Sequence, residues 1–329
     1  MSHLPVLLHE AIAAVAPHAG DLIVDATFGG GGYTRALLEA ADCKVIGLDR
    51  DPDAIARAQA FSRVAPWRLE AREGRFGDLA ALVPESIDAV ALDLGISSFQ
   101  IDEPQRGFSF RFDAPLDMRM GGAGPTAADA VAHLSEEALA EAIWIYGEEP
   151  GSRRIARVIL EARRESVIAT TVQLAELVEK ALGGRRGARI HPATKTFQAL
   201  RILVNDEIGE LARALCAAEM RLKPQGRLVV VSFHSLEDRL VKTFMTERSG
   251  GGGSGSRHAP ERPVQRGATF ASPLPKAIAP GEREITANPR SRSARLRVAI
   301  RTDAPPWDME PTTRSIARLA QAEWERLAS

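Results

Sequence analysis

Val24-Asp25-Ala26-Thr27-Phe28-Gly29-Gly30-Gly31-Gly32-Tyr33-Thr34 is the stretch of sequence that decides the fold. The apolar residues 22–24 predict a strand that ends at Asp25, and the four glycines predict a tight turn into a helix at residues 33–40. Such a turn presents backbone N–H groups and the positive end of the helix dipole to a polar cofactor. Glycine is expected here because a side chain would displace that cofactor.

A second strand follows at residues 44–48 and ends at Asp49. A carboxylate at this strand end is well placed to accept hydrogen bonds from the two hydroxyls of a ribose. The glycine turn and Asp49 together predict an adenosine-containing cofactor bound at the edge of a doubly wound α/β sheet.

Three classes of cofactor are compatible with a glycine turn at this position. A P-loop needs Gly-Lys-Ser/Thr after its glycines, whereas this chain has Gly32-Tyr33-Thr34. The dinucleotide fingerprint G-x-G-x-x-G, counted from Gly29, would place Thr34 at its last glycine. S-adenosylmethionine fits better, because it has no pyrophosphate for Asp25 to repel. An ordinary glycine-rich surface turn remains the alternative.

Composition sets broader bounds. A chain of 329 residues with 45% hydrophobic content can bury a large core and is expected to form two domains. No apolar run approaches the roughly 20 residues of a membrane span, and no signal peptide is recognisable. Cys43 and Cys216 are too few and too separated for a disulfide framework or a metal site, so a reducing cytoplasm is the expected location. Neither lies in a plausible active-site loop, which disfavours methylation at C5 of a pyrimidine, a reaction that needs a cysteine nucleophile.

The formal net charge of −1 conceals an asymmetry along the chain. Residues 1–152 carry 11 Lys and Arg against 24 Asp and Glu, whereas residues 153–301 carry 28 against 14. A basic half in a nearly neutral protein is typical of a protein that binds a polyanion. Solvated helix faces that happen to be rich in arginine are the alternative.

The order of predicted elements indicates the domain organisation. Strands are predicted near residues 21–25, 44–48, 67–72 and 88–93, with helices near 33–40, 52–60 and 77–83. Residues 126–188 have helical spacing without a strand signal, and one long helical pattern runs from Thr194 to Leu222. The turn 223–226 leads into a strand at 227–233, residues 249–289 are predicted to form a mobile loop, and a last strand covers 294–300.

This layout predicts a class I methyltransferase fold, with a doubly wound sheet that ends in an antiparallel hairpin and an inserted all-helical domain. The predicted division is a first part of the sheet domain at 1–109, a helical insert at 110–206, a second part at 207–302 and a peripheral tail at 303–329.

The segment after the fourth strand carries candidate catalytic residues. Asp93 ends that strand, at the edge where open α/β sheets bind ligands, and Ser97-Ser98-Phe99-Gln100 comes next. An exocyclic amine of a nucleobase is a poor nucleophile, because its lone pair is shared with the ring. Hydrogen-bond acceptors such as Asp93 would localise that lone pair, and Phe99 would stack on the base. Asp93 is alternatively a cofactor contact, or a carboxylate that caps its own turn.

Together with residues 106–120, this segment closely resembles the RsmH (MraW) family of bacterial enzymes, which methylate N4 of a cytosine in small-subunit ribosomal RNA. The motifs that carry the resemblance run from the N-terminus to about residue 301: His3-Leu4-Pro5-Val6-Leu7, Asp49-Arg50-Asp51-Pro52, Ser97-Ser98-Phe99-Gln100, Arg106-Gly107-Phe108-Ser109-Phe110, Asp113-Ala114-Pro115-Leu116-Asp117-Met118-Arg119-Met120, His191-Pro192-Ala193-Thr194-Lys195-Thr196-Phe197-Gln198-Ala199-Leu200-Arg201, Ser232-Phe233-His234-Ser235-Leu236-Glu237-Asp238-Arg239 and Asn288-Pro289-Arg290-Ser291-Arg292-Ser293.

The resemblance implies a function and a set of site residues. It implies S-adenosylmethionine as the methyl donor, cytosine 1402 of 16S rRNA as the target, the assembled 30S subunit as the substrate particle, and no metal. The implied cofactor contacts are Gly31, Gly32 and Tyr33 on the methionine side, Asp49 on the ribose, Phe76 beside the adenine, and Asp93 and Gln100 completing the pocket. Two departures from the family stand out, since Tyr33 replaces the usual His and the 249–289 loop is longer and richer in glycine.

Candidate contacts to RNA fall into two groups. The first lies beside the predicted active site and consists of Ser97, Ser98, Phe99 and His234, although His234 is equally well explained as a buried histidine or as part of a helix N-cap. The second is arginine-rich and suits phosphate binding. Its members are Arg290, Arg292, Arg295 and Arg297, and, on the helical insert, Arg153, Arg154, Arg157, Arg163, Arg164, Arg185, Arg186 and Arg189. A solvated edge strand is the alternative for residues 290–297.

Two rival hypotheses remain at the level of sequence. An amino-methyltransferase that acts on DNA or on another RNA would share the cofactor-binding half. A non-catalytic RNA-binding factor in ribosome assembly would bind RNA without binding S-adenosylmethionine.

Overall fold

The structure is a computed structural model that describes residues 5–63, 66–184, 190–250, 266–272, 276–307 and 316–328. The chain divides into two compact units, one of residues 1–95 and 210–313 and the other of residues 96–209 and 314–329. We call them the sheet unit and the helical unit. Among the helices of the described ranges, none combines the length and the apolar character needed to cross a membrane.

The strands of the described residues all belong to one sheet in the sheet unit. They are β1 (Leu22–Asp25), β2 (Lys44–Asp49), β3 (Leu69–Glu73), β4 (Ile87–Asp93), β5 (Leu222–Ser232), β6 (Phe270–Ala271) and β7 (Arg295–Arg301). The strand order is β3-β2-β1-β4-β5-β7-β6, in which β7 runs antiparallel to both of its neighbours and the first five strands are parallel. This is the doubly wound sheet with a terminal antiparallel hairpin that the sequence predicts.

The described helices are α1 (Leu8–Val15), α2 (Gly32–Ala40), α3 (Pro52–Ser62), α4 (Leu79–Leu82), α5 (Ser98–Asp102), α6 (Ala127–His133), α7 (Glu136–Ile145), α8 (Ser152–Glu165), α9 (Thr171–Ala181), α10 (Thr194–Asn205), α11 (Glu207–Arg221), α12 (Ser235–Arg248), α13 (Glu282–Ala287) and α14 (Arg318–Ala328). Helices α5 to α10 and α14 make up the helical unit. The helices of the sheet unit pack on its sheet through a shared apolar core that includes Ile23, Leu37 and Val45.

The register of the parallel strands brings the predicted carboxylates to one edge of the sheet. Val24 of β1 pairs with Ile46 of β2 and with Val90 of β4, so β2 and β4 each extend beyond the end of β1. Asp49 and Asp93 end those two strands, on either side of the glycine turn that follows β1. The sheet edge therefore carries the residues that the sequence analysis assigns to a cofactor site. The predicted bounds of the first four strands agree with the structure to within two residues.

The long helix predicted from Thr194 to Leu222 is wrong, because the chain breaks at Asp206 into α10 and α11. Asp206 has a left-handed backbone conformation with φ 50°. The preceding Asn205 is buried, and its side chain donates to the carbonyl oxygen of Met118 at 2.7 Å and accepts from the N–H of Met120 at 2.9 Å. These non-local bonds fix the end of α10, although the apolar stripe continues through the break.

The turn predicted at residues 223–226 lies inside β5 as an irregularity of the strand. Ile87 pairs with Leu222, whereas Ala89 pairs with Arg227, so residues 223–226 form a bulge, of which 223–225 are exposed. Gln225 has a φ of 69°, which interrupts the extended backbone. Pairing with β4 on both sides of the bulge keeps the two halves in one strand.

Two segments that the sequence analysis treats as a loop and a tail contain regular structure. Strand β6 and helix α13 lie within 249–289, whereas 251–265 and 273–275 are outside the described residues. Helix α14 lies in the tail and packs in the helical unit, where Ala320 N–H donates to Glu141 Oε2 at 2.9 Å and Ser135 Oγ donates to Glu323 at 2.8 Å. Trp324 is buried there, so this segment is part of the unit's core.

Candidate functional site

A buried carboxylate holds the glycine turn to the end of β1. Asp25 is 1% exposed and accepts hydrogen bonds at one oxygen from the N–H of Thr34, at 3.1 Å, and from its hydroxyl, at 2.7 Å. Burial raises the pKa of Asp25 to about 6, and the bonds from Thr34 oppose that rise. Asp25 therefore holds the first turn of α2 in place from beneath the glycine turn, and its carboxylate is buried.

The glycines of the turn make room for protein side chains. Gly31 has a φ of 74°, and a Cβ added there would lie 2.6 Å from Cζ of Phe28. At Gly32 an added Cβ would lie 2.1 Å from Cγ of Pro5. The sequence pattern predicts glycine here because a side chain would displace the cofactor, whereas at these two positions the packing of Phe28 and Pro5 already requires it.

Asp49 joins the end of β2 to the glycine turn. One oxygen of its carboxylate accepts from the N–H of Gly29 at 2.8 Å, and the other accepts from the N–H of Asp51 at 2.9 Å. Burial raises the pKa of Asp49, and these backbone bonds partly counteract that effect. The structure thus joins the glycine turn and Asp49, the two features from which the sequence predicts an adenosine-containing cofactor.

Phe76 lies at the same edge, just after β3. It begins a short 3-10 helix (Phe76–Asp78) and is half-buried. The N–H of Gly74, two residues earlier, donates to the backbone carbonyl of Asp49 at 2.9 Å. The loop that carries Phe76 is therefore attached to the strand end that carries Asp49.

Asp93 presents an unsatisfied buried atom at the end of β4. Its Oδ1 is buried and has no hydrogen-bond partner among the described residues. Its pKa lies well above the ordinary value, chiefly because of burial and also because Asp25 and Glu237 are negatively charged. The N–H of Asp93 donates to the hydroxyl of Thr27 at 2.7 Å, and the N–H of Thr27 donates to Asp25 at 3.4 Å. Sequence reasoning did not single out Thr27, which links the ends of β1 and β4.

The side chain of Tyr33 is directed into the sheet unit. It is 4% exposed, and its hydroxyl donates to the carbonyl oxygen of Val6. Burial raises its pKa well above the ordinary value. Tyr33 therefore ties the segment before α1 to the start of α2, and its hydroxyl is engaged within the protein.

The predicted residues 97–100 belong to the helical unit, where they begin α5. The hydroxyl of Ser97 accepts from the N–H of Gln100 at 3.2 Å, and the side-chain oxygen of Gln100 accepts from the N–H of Ser97 at 3.1 Å. This reciprocal pair is a capping box. Ser98 is half-buried, Gln100 is buried, and Phe99 is 45% exposed.

His234 forms the N-cap of α12 in the sheet unit. Its Nδ1 accepts from the N–H of Glu237 at 3.5 Å, while the Glu237 carboxylate accepts from the N–H groups of Phe233, at 2.8 Å, and His234, at 3.2 Å. The capping role that the sequence analysis left open is therefore present in the structure.

The predicted phosphate contacts of the sheet unit differ in exposure. Arg290 and Arg292 are exposed on a 3-10 helix (Pro289–Ser293). Arg297 instead forms a two-pronged ion pair with Asp238, at 2.8 and 3.0 Å. Arg295 is half-buried and donates to the backbone carbonyl of Ala294.

The arginines of the helical unit lie mainly on one helix. Helix α8 buries Ile155 and Ile159 and exposes its arginines on the other faces: Arg153, Arg154, Arg157 and Arg164. Arg163 donates to the carbonyl oxygens of Val131 and Leu134, both at 2.8 Å, at the end of α6. Arg185, Arg186 and Arg189 lie outside the described residues.

The residues at this sheet edge fit S-adenosylmethionine. Asp93 has a buried oxygen that needs a donor, and Asp49 is a carboxylate anchored at the second strand end. The turn between them lacks the lysine of a P-loop, and Asp25 lies buried beneath it. The sheet order and this edge define a class I S-adenosylmethionine-dependent methyltransferase.

Comparison with known proteins gives the family. Residues 1–302 match the model of the MraW methylase family, and the chain belongs to that family. "Ribosomal RNA small subunit methyltransferase H" of Hyphomonas neptunium is 57% identical over 92% of this chain and 89% of its own length. The protein of that name from Maricaulis maris is 50% identical over 98% of both chains. A solved structure of a putative rRNA methylase from Clostridium thermocellum is 12% identical, covers 92% of this chain and 99% of its own, and has a TM-score of 0.42.

Proposed function

We propose that this protein transfers a methyl group from S-adenosylmethionine to the exocyclic N4 of a cytosine in the 16S rRNA of the small ribosomal subunit, at position 1402 by family resemblance. The observation that carries the proposal is the similarity, over almost the whole chain, to proteins named ribosomal RNA small subunit methyltransferase H. The proposed substrate is the assembled 30S subunit.

The cofactor lies along the edge formed by the glycine turn and the ends of β2 and β3. The carboxylate of Asp49 accepts from the ribose hydroxyls, and Phe76 packs beside the adenine. Gly31, Gly32 and Tyr33 line the methionine side through their backbone, because the Tyr33 hydroxyl is engaged by Val6. When bound, this cofactor supplies an electrophilic methyl group on a sulfonium. Gln100 is the remaining residue to which we assign a cofactor contact, by family resemblance.

Asp93 is the proposed acceptor for the amine of the cytosine. Its unpartnered oxygen accepts an N–H of N4, which localises the nitrogen lone pair and holds the amine in line for attack. The product amine must then lose a proton, and the raised pKa of Asp93 makes it a stronger base than an ordinary aspartate. If Asp93 instead contacts only the cofactor, its substitution should weaken cofactor binding and leave kcat unchanged.

The cysteines support attack by an amine over methylation of a ring carbon. The chain has only two, Cys43 and Cys216, and each is 1% exposed. Burial raises the pKa of both thiols. A C5 methyltransferase needs an accessible thiolate nucleophile, and neither cysteine provides one.

Contacts to RNA are proposed for both units. Arg290 and Arg292 of the sheet unit and the exposed arginines of α8 neutralise phosphates. Phe99 stacks on the target base, and His234 lines the approach to the active site while it caps α12. Ser97 and Ser98 complete the proposed RNA contacts at the start of α5.

The experiment that tests the function is mass spectrometry of digested 16S rRNA from cells with and without this protein. Loss of one N4-methylated cytosine, restored by the gene, is the expected result. In vitro, 30S particles should be methylated in preference to naked rRNA and duplex DNA. Preference for DNA or for another RNA would replace the proposed substrate. RNA binding without any binding of S-adenosylhomocysteine would make the protein a non-catalytic assembly factor.

A further inference from the structure

Glu210 is a buried carboxylate beside the cofactor edge. It lies on α11, in the sheet unit, and is 0% exposed. Burying a charged carboxylate is costly unless opposite charges and hydrogen bonds compensate for the lost water. The groups that compensate here come from the loops after β2 and β3.

Two arginines from those loops share one oxygen of Glu210. Arg50 directly follows Asp49, and its Nη1 lies 2.9 Å from Glu210 Oε1. Arg75 directly precedes Phe76, and its Nη1 lies 3.4 Å from the same oxygen. Each of the two residues assigned to the adenosine is thus adjacent in sequence to an arginine bound by this carboxylate.

Close backbone packing adds to the ion pairs. A Cβ added at Gly77, the residue after Phe76, would lie 3.0 Å from Cα of Glu210. Helix α11 therefore rests directly on the short 3-10 helix that begins at Phe76. The N–H of Gly74 also donates to the backbone carbonyl of Asp49 at 2.9 Å. A backbone hydrogen bond and the shared carboxylate therefore both join the two loops.

We propose that Glu210 is a positioning residue for the adenosine end of the cofactor site, because it holds the Asp49 and Phe76 loops at the separation that a bound nucleoside requires. This inference rests on the assignment of Asp49 and Phe76 made under the proposed function. The physical reason is electrostatic. Without the negative charge of Glu210, nothing offsets the mutual repulsion of the two guanidinium groups that now meet at its Oε1, of which that of Arg50 is largely buried and that of Arg75 half-exposed.

The test is isothermal titration calorimetry with S-adenosylhomocysteine, on the full chain. Glu210→Gln keeps the shape of the side chain and removes its charge, and it should weaken binding about tenfold. Glu210→Asp restores the charge at a shorter reach and should recover part of the affinity. The KM for S-adenosylmethionine should rise in Glu210→Gln with little change in kcat, because the residue acts on cofactor binding.

Glu219 provides a matched control on the same helix. It is 1% exposed, and its Oε2 lies 3.0 Å from Nε of Arg248, so it is also a buried glutamate paired with an arginine. Glu219→Gln should lower the melting temperature comparably and leave the affinity within twofold. If Glu219→Gln weakens binding as much as Glu210→Gln does, a general loss of stability accounts for the effect and the proposal is overturned.

A second variant covers the case in which Glu210→Gln does not fold. The side chain of Arg75 is 47% exposed. Arg75→Gln therefore removes one ion pair of Glu210 and leaves the buried carboxylate paired with Arg50. It should weaken binding about threefold. Unchanged affinity in the folded bridge variants, with weakened binding in Asp49→Ala, overturns the role of Glu210 and keeps the adenosine site. Unchanged affinity in Asp49→Ala as well overturns the site assignment itself.

Discussion

The carboxylate of Asp25 receives two hydrogen bonds from Thr34, at 3.1 Å from its N–H and at 2.7 Å from its hydroxyl, and so joins the end of β1 to the first turn of α2. This connection lies directly beneath the glycine turn, in the interior of the sheet unit. Its stability therefore depends on the protonation of a carboxyl group that water does not reach.

Asp25 should make the stability of the protein depend on pH. Its pKa is about 6 in the folded protein, against an ordinary value of 3.8. The raised pKa means that protonated Asp25 stabilises the folded state. This contribution is fully present below about pH 4 and is lost as the pH rises through 6, and it amounts to on the order of 2–3 kcal/mol. Urea unfolding should show that the unfolding free energy of the wild type falls relative to that of Asp25→Asn from pH 4.5 to pH 7, because the asparagine cannot ionise. A difference that stays constant would contradict this assignment.

Replacing Gly31 by alanine should cost more than its backbone conformation alone explains. Gly31 and Gly122 have φ values of 74° and 73°, but only at Gly31 would a Cβ meet another atom, the ring of Phe28. Gly122→Ala should lower the free energy of unfolding by about 1 kcal/mol, from backbone strain. Gly31→Ala should lower the free energy of unfolding by a further ~1–3 kcal/mol, because the added methyl group overpacks against Phe28. Equal losses in denaturant titrations would show that Phe28 moves aside freely.

The two tyrosines of the chain should anchor different helices. Tyr33 donates to the carbonyl of Val6, just before α1, and the hydroxyl of Tyr146 accepts from the N–H of Ala317, just before α14. Each substitution by phenylalanine should cost about 1–2 kcal/mol, because it leaves a buried partner unsatisfied. Hydrogen exchange should become faster in α1 for Tyr33→Phe and in α14 for Tyr146→Phe. Faster exchange in both helices for either variant would argue against local anchoring.

Asp93→Asn should separate catalysis from cofactor binding. If Asp93 accepts the amine of the cytosine, kcat should fall at least about 100-fold, as for the loss of a positioned acid or base, and the affinity for S-adenosylhomocysteine should change little. Calorimetry and single-turnover methylation of 30S particles measure the two effects. A large loss of affinity with unchanged kcat would assign Asp93 to the cofactor, and full activity would remove it from both roles.

Arg290 and Arg292 should bind phosphates. The double variant Arg290→Ala, Arg292→Ala should weaken RNA binding, and the slope of log affinity against log salt should become shallower by about 1.4 to 1.8, as expected for two phosphate contacts. Filter binding at several salt concentrations measures this slope. Lys223→Ala is the control, since Lys223 is half-exposed and pairs with Asp88. An unchanged slope in the double variant would exclude these two arginines.

Local sequence patterns predicted the parts of the site that local chemistry determines. Asp25, Asp49 and Asp93 each end an apolar strand, and the parallel register brings them to one edge. The break at Asp206 could not be predicted in this way, because it depends on bonds from Asn205 to the backbone near Met118, far away in the sequence.

The same limitation explains the missed role of Glu210. In the sequence, this residue is one acidic position on an amphipathic helix, and only the fold places it against the arginines at positions 50 and 75. The reason for glycine at positions 31 and 32 was likewise hidden, because it depends on the side chains of Phe28 and Pro5.

The burial of Cys43 and Cys216 gives the protein a native reporter of its own opening. A maleimide or iodoacetamide reagent can reach Cys43, just before β2, or Cys216, on α11, only when the surrounding structure opens, so the rate of alkylation measures how often the sheet unit opens. A cysteine introduced at an accessible position of the helical unit, such as Val167, which is 77% exposed, would react far sooner. A single fluorophore can therefore be attached there for binding studies without removing the native thiols.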